Sequence, residues 1–289
     1  WHGVYIYGGA QNNTVGGDTD GERNLISGNG QDGVHISGSN TMSNTVSGNT
    51  IGTNASGTAG LGNKGYGVYI GEGAQNNTVG GDTAGEQNVI SGNNSSASTC
   101  GVGISGSGTM SNTVSGNTIG TDTSGTTDLG NISSGVCVFS GARNNTIGGD
   151  TAGERNVISS NDRDGVSISG SGTMSNTVSG NYIGTNISGT AVLSNTLHGI
   201  YIYNGAQNNT VGGDTAGERN IISGNNQGGI LILSSGTTGN TISGNYIGTD
   251  ASGTVDLGNT LDGVYISFGA QNNTIGPGNV IAYNDDEGV

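Results

Sequence analysis

The chain has 289 residues, 61 of them Gly and 30% hydrophobic, and six basic against 21 acidic side chains give a formal charge of −15. That balance excludes a nucleic-acid binder, which needs a stripe of Lys and Arg to neutralise phosphates, and it disfavours a polyanionic substrate for the same reason. No run of about 18 apolar residues is present, so no helical membrane span is expected.

Gly-rich, polar composition of this kind often signals disorder. Here it does not, because the sequence repeats. Asn-Thr followed by Val or Ile begins at Asn13 and returns at Asn44, Asn77, Asn112, Asn145, Asn176, Asn209, Asn240 and Asn273. A repeat of this period is one supersecondary unit that buries its apolar side only by stacking on its neighbours.

Taken in order, the first unit reads Gly3-Val4-Tyr5-Ile6, then Asn13-Thr14-Val15, then Asn24-Leu25-Ile26, and it restarts at Gly33-Val34-His35-Ile36. Later units start at Gly67, Gly101, Gly135, Gly165, Gly199, Gly229 and Gly263, spaced 30 or 34 residues apart from Gly33 onward. Three short strands per turn, joined by corners rich in Gly and Asn, predict an all-β solenoid of about nine coils with three parallel sheets. At about 4.8 Å per strand this makes a rod roughly 43 Å long. A β-sandwich fits less well, because it would require two-residue hairpin turns between antiparallel runs. Residues 1–289 are expected to form one parallel β-helix, cut from a longer repeat array.

Alternation of side chains along a strand assigns the faces. Val4 and Ile6, with Val34 and Ile36 and their later equivalents, point inward, as do Val15- and Ile26-type residues. The Asn13-type and Asn49-type positions stack in every coil, and an inward corner Asn can hydrogen-bond to its copies above and below.

Two kinds of coil alternate. Odd coils carry an acidic insert between second and third strands, at Asp18 to Arg23, Asp82 to Gln87, Asp150 to Arg155 and Asp214 to Arg219. Even coils carry a longer loop after the third strand, such as Gly120 to Asn131, and the third coil is extended through Ser95 to Cys100. Coil nine lacks the acidic insert.

The pattern Gly-Val-x-Ile, Asn-Asn-Thr-Ile, Gly-Asn-x-Ile, running from Gly3 to Val289, resembles the repeat of right-handed parallel β-helix proteins, the pectate-lyase-like superfamily and bacterial or phage surface proteins. The resemblance implies a right-handed winding. It does not select an activity, since that superfamily holds lyases, hydrolases, epimerases and non-catalytic surface proteins.

Three groups of residues are candidates for function. Asp18, Asp20 and Glu22, with Asp82, Glu86, Asp150, Glu154, Asp214 and Glu218, present oxygen ligands suited to calcium; the alternative is a solvated turn in which Glu is balanced by Arg23, Arg155 or Arg219. Tyr5, Tyr7, Tyr69, Phe139, Tyr201, Tyr203 and Tyr265 form an outward aromatic strip on the first sheet, suited to stacking on glycans or packing against another protein. Catalytic residues are not assigned: His2, His35 and His198 share no strand position, and Asp162, Arg163 and Asp164 read as a charged corner. Cys100 and Cys137 are expected to be free thiols, because one coil and three residues of displacement combine to roughly 11 Å on a straight strand, beyond the span of a disulfide.

The reading that follows is a non-catalytic, extracellular or cell-surface β-helix with a structural or adhesive role, partnering itself in filaments or a surface glycan. It needs no cofactor, with calcium as an optional ion. The alternative is a polysaccharide lyase or glycoside hydrolase of the parallel β-helix type.

Overall fold

The structure is a computed structural model, and it describes residues 1–93 and 99–289. The extension read at Ser95 to Cys100 therefore lies largely outside the described residues. Three parallel sheets of nine strands each run through the molecule. The first comprises strands such as Val4–Tyr7, Val34–Ser37 and Val68–Gly71; the second Thr14–Gly16, Thr45–Ser47 and their successors; the third two-residue strands such as Leu25–Ile26 and Thr50–Ile51. No α-helix is present among the described residues.

Register follows the repeat. Ile6 pairs with Ile36, Ile36 with Ile70, and Ile104 with both Ile70 and Val138, so each inward residue lies on its own copy. The core is one column of Val and Ile from all three sheets, fully buried in the central coils and partly exposed at Val4, Val15, Ile275 and Ile281 in the outer ones. Each such side chain contributes about 1.5–3 kcal/mol of burial, and only when a neighbouring coil covers it.

The Gly that opens every first-sheet strand is required by close approach rather than by an unusual backbone angle. A Cβ on Gly101 would lie 2.8 Å from both Asn131 Nδ2 and Gly135 O, and 2.9 Å from Ile119 Cγ2. At that corner the backbone of one coil presses on the Asn and Ile of the same coil and the carbonyl of the next.

Asn ladders close all three corners. In the Asn13 column, Asn112 Nδ2 donates to Asn145 Oδ1 at 3.0 Å, and Asn112 Oδ1 accepts from Asn77 Nδ2 at 3.0 Å. The Asn49 column behaves likewise, with Asn117 Nδ2 donating to Asn156 Oδ1 at 3.0 Å. A third ladder links Asn29, Asn63, Asn93, Asn131, Asn161, Asn195, Asn225, Asn259 and Asn284. Its period is hidden in the sequence, because the long loop of each even coil intervenes between the third strand and this Asn. No buried side-chain nitrogen or oxygen lacks a hydrogen-bond partner among the described residues.

The two kinds of insert stack on their own kind across the coil between them. Ala251 N donates to Gly189 O at 2.9 Å and Ile187 N to Gly125 O at 3.1 Å, linking even-coil loops. In the acidic inserts a Cβ on Gly153 would collide with the Asp82 carbonyl of the insert two coils earlier, and Gly217 stands in the same relation to Asp150. Together the inserts cover the outer side of the third sheet, where Thr118, Val157, Tyr182 and Ile221 are buried although they point away from the core. The open sheet faces are therefore the first and second. The second carries an in-register row of Thr14, Thr45, Thr78 and their copies, cross-strand pairs of β-branched residues that stabilise the sheet.

Candidate binding surface on the first sheet

Two columns of side chains meet on the outer face of the first sheet. One is the strand position after Val4: Tyr5, His35, Tyr69, Gly103, Cys137, Ser167, Tyr201, Leu231 and Tyr265. The other is the corner residue just before each opening Gly: His2, Asp32, Tyr66, Cys100, Ser134, Asp164, His198, Gly228 and Asp262. The chain turns sharply at that Gly, so the corner side chain folds back over the strand and touches the residue three positions on. Ring centroids of His2 and Tyr5 lie 5.1 Å apart, those of Tyr66 and Tyr69 5.2 Å, and those of His198 and Tyr201 5.7 Å.

The same turn corrects the expectation of free thiols. Cys100 and Cys137 form a disulfide with Cα atoms 6.1 Å apart. The three-residue offset does not run along a straight strand: it crosses the corner at Gly101, and Cys100 is turned back toward Cys137 of the next coil.

The predicted aromatic residues do share one face, in two clusters. The first is continuous from Tyr7 through Tyr5 (4.4 Å) and His35 (5.0 Å) to Tyr69 (4.7 Å), with Tyr66 beyond. The second is the stacked pair Tyr201 and Tyr203, centroids 4.0 Å apart, beside His198. Tyr265 stands apart from them, separated from Tyr201 by Leu231. Burial pushes the Tyr66 hydroxyl up to about 12, with Tyr69 and Asp32 adding to the effect, and burial also raises Tyr69 and Tyr201. These phenols stay neutral donors at physiological pH.

Between the clusters the outward residues of coil six shrink to Ser167 and Ser169, which opens a groove of about 380 Å³, while the ring of Tyr66 lies over Gly103. The disulfide and the four serines Ser133, Ser134, Ser167 and Ser169 line it; Tyr66, Phe139 and Tyr203 supply rings, and Arg163 and Asp164 supply charge. Asp164 Oδ1 accepts from His198 N at 3.3 Å and lies 3.3 Å from His198 Nδ1, while Oδ2 accepts from Ser134 Oγ at 3.3 Å. The charged corner thus stands at one wall of this groove, and His198 meets it behind Asp164.

A further cluster escaped the sequence reading. His35 Nδ1 is 2.7 Å and His2 Nδ1 3.2 Å from Asp32 Oδ2. Burial lowers the pKa of His2, and the neighbouring His35 adds to that. The signal was present as variation within the corner column, where His, Asp, Tyr and Cys replace one another; it is visible only once residues are aligned by corner instead of by strand.

The acidic inserts are built differently. In each, one Glu carboxylate turns back on its own loop: Glu86 Oε2 accepts from Thr83 Oγ1 at 2.8 Å and Thr83 N at 3.1 Å, and Glu154 and Glu218 repeat this. Asp18, Asp82, Asp150 and Asp214 do not join these glutamates in a group of three donors, and Asp20 pairs with Arg23 at 2.9 Å. Arg155 and Arg219 do not pair with glutamate; each lies over a tyrosine ring, Tyr182 at 4.2 Å and Tyr246 at 4.1 Å. The even-coil loops are likewise self-contained, with Asp250 held down to about 2 by Val255 N–H and the Ser252 hydroxyl.

No family model matches the sequence, and no curated protein matches it. Among solved structures the chain is similar to a mutant of the periplasmic alginate epimerase AlgG, with a TM-score of 0.53 and 14% identity over 84% of this chain. The fold is that of a parallel β-helix. The chain spans 50% of that structure's length, and the likeness extends to the winding of the coils, not to the side chains on them.

Proposed function

We propose that this β-helix is an extracellular or cell-surface element that binds a neutral glycan along the outer face of its first sheet. The observation that supports the reading is the groove between two aromatic clusters, with rings at its rims, hydroxyls on its floor and a donor-acceptor wall at Arg163 and Asp164. Apolar faces of sugar rings stack on tyrosine and phenylalanine, and hydroxyls fix their orientation through a few placed polar groups. The formal charge of −15 favours a neutral chain over a polyanion, and the disulfide supports an oxidising compartment.

Affinity electrophoresis or calorimetry against neutral and uronate polysaccharides tests this. Binding to a neutral glycan, weakened about tenfold by Tyr203→Ala or Phe139→Ala, is the expected result. Retention of full affinity in both variants refutes it.

A second reading has one specific observation in its favour. Arg163 and Asp164 line the groove, with His198 against Asp164, and together they combine a base with a cation, as β-elimination of a uronate requires. A screen for unsaturated product, abolished by His198→Ala, would establish a lyase in place of a binder.

A further inference from the structure

Among the described residues, His2, Asp32 and His35 form the one group of three His, Cys, Asp or Glu donors whose ligand atoms all lie within 4.8 Å of one another. We propose that these three side chains bind a divalent cation of the zinc class, through two imidazole nitrogens and one carboxylate oxygen.

The hydrogen bonding around His2 supports this. Its Nδ1 lies 3.3 Å from Asp32 N and 3.2 Å from Asp32 Oδ2. Acting as acceptor for the backbone N–H, that nitrogen aims its lone pair toward a carboxylate oxygen. Acting as donor to the carboxylate, it aims a hydrogen at another N–H. With Nδ1 accepting from the backbone N–H, a lone pair faces the carboxylate oxygen across 3.2 Å, and a cation between Nδ1 and Oδ2 relieves that contact at the cost of the long bond to Asp32 N. His35 Nδ1 approaches the same oxygen at 2.7 Å, so two rings with centroids 4.3 Å apart converge on a single negative atom.

The geometry is close to what a metal requires. Ligand atoms about 2.0–2.1 Å from a tetrahedral ion lie roughly 3.3 Å from one another; the His2 contact of 3.2 Å is close to that value, and the His35 contact of 2.7 Å is shorter, so the His35 ring has to draw back to admit the ion. The carboxylate is already fixed from behind, because Asp32 Oδ1 accepts from Tyr66 N at 2.7 Å. Outer partners of this kind orient metal ligands and raise their affinity. Gly3 N donates to Asp32 O at 3.0 Å, which pins the backbone carrying His2 to the corner carrying Asp32. Three protein ligands leave a fourth position, and the side chains remain 18%, 10% and 15% exposed, so that position faces solvent on the aromatic face. Two imidazoles with one carboxylate match zinc, cobalt or nickel better than calcium, which takes six to eight oxygens.

Coil six provides an internal comparison. Asp164 repeats the carboxylate, but Ser134 and Ser167 stand where His2 and His35 do, and His198, at the place of Tyr66, approaches it from the following coil, so only two such donors meet.

The test uses the full chain without a polyhistidine tag, stripped with chelator and titrated with zinc chloride by calorimetry. One site per chain is expected, with affinity reduced at least about tenfold by His35→Ala and by His2→Ala and unchanged by His198→Ala. Cobalt added to the unsubstituted protein provides a readout that needs no variant: intense visible bands mark a low-symmetry site with nitrogen ligands. Absence of binding, absence of those bands, or equal affinity in His35→Ala and the unsubstituted protein overturns the proposal.

Discussion

Removing one rung of an Asn ladder should cost far more in the middle of the rod than at its edge. Asn112 is fully buried. Its Oδ1 accepts from Asn77 N and Asn77 Nδ2, each at 3.0 Å, while its Nδ2 donates to Ala74 O at 3.1 Å and Asn145 Oδ1 at 3.0 Å. Asn112→Ala removes all four bonds and leaves the backbone N–H of Asn77 without its acceptor. Its own N–H still donates to Asn145 Oδ1. A buried donor stripped of its partner costs about 1–3 kcal/mol, and the broken amide chain and the void add to this, so a loss of roughly 3 kcal/mol is expected. Asn13→Ala removes the same side chain at an exposed position where it donates but accepts nothing from another coil, and it should cost at most about 1 kcal/mol. A stacked array need not unfold in one step, so a single melting temperature is a poor gauge. Amide hydrogen exchange is better, with protection lost at Asn77 and its neighbours in Asn112→Ala. Equal protection and equal denaturation midpoints for the Asn112 and Asn13 variants would refute the ladder as a source of stability.

Intact mass after alkylation without reductant should show neither Cys100 nor Cys137 labelled, and labelling of either would disprove the bond. Replacing both by Ser should destabilise the protein by about 3–4 kcal/mol on the chain-entropy estimate for a sequence separation of 37. The acidic inserts predict a pH dependence. Hydrogen bonds from the Thr hydroxyl, then from backbone N–H groups, hold Glu22 and Glu218 below the usual carboxylate value. Glu86 is lowered by the same leading cause. A carboxyl lowered in the folded state stabilises it above the unfolded pKa of about 4.3, and that gain is lost as pH falls through the folded value. Amide exchange protection in the acidic inserts, compared at each pH between the unsubstituted protein and a Glu22→Gln, Glu86→Gln, Glu154→Gln, Glu218→Gln variant, should therefore differ at pH 6 and converge near pH 3; a gap independent of pH would refute this.

The sequence by itself determined the winding. Asn-Thr-Val and its eight copies, with the inward Val and Ile columns, fix three strands per coil, because identical residues stack best on themselves and each coil is buried only by the next. It also fixed which residues face outward on the first sheet, since side-chain alternation does not depend on what lies beyond the strand. Only the tertiary structure decided which of those residues meet. The chain bends at each opening Gly, so distances reckoned along a straight strand failed for Cys100 and Cys137 and concealed His2, Asp32 and His35. Variable loops hid the third Asn ladder in the same way, by separating in sequence what the coil brings into register. The groove likewise depends on Ser167 and Ser169 standing between the aromatic clusters, an arrangement that exists only when coils three to seven are laid one upon another.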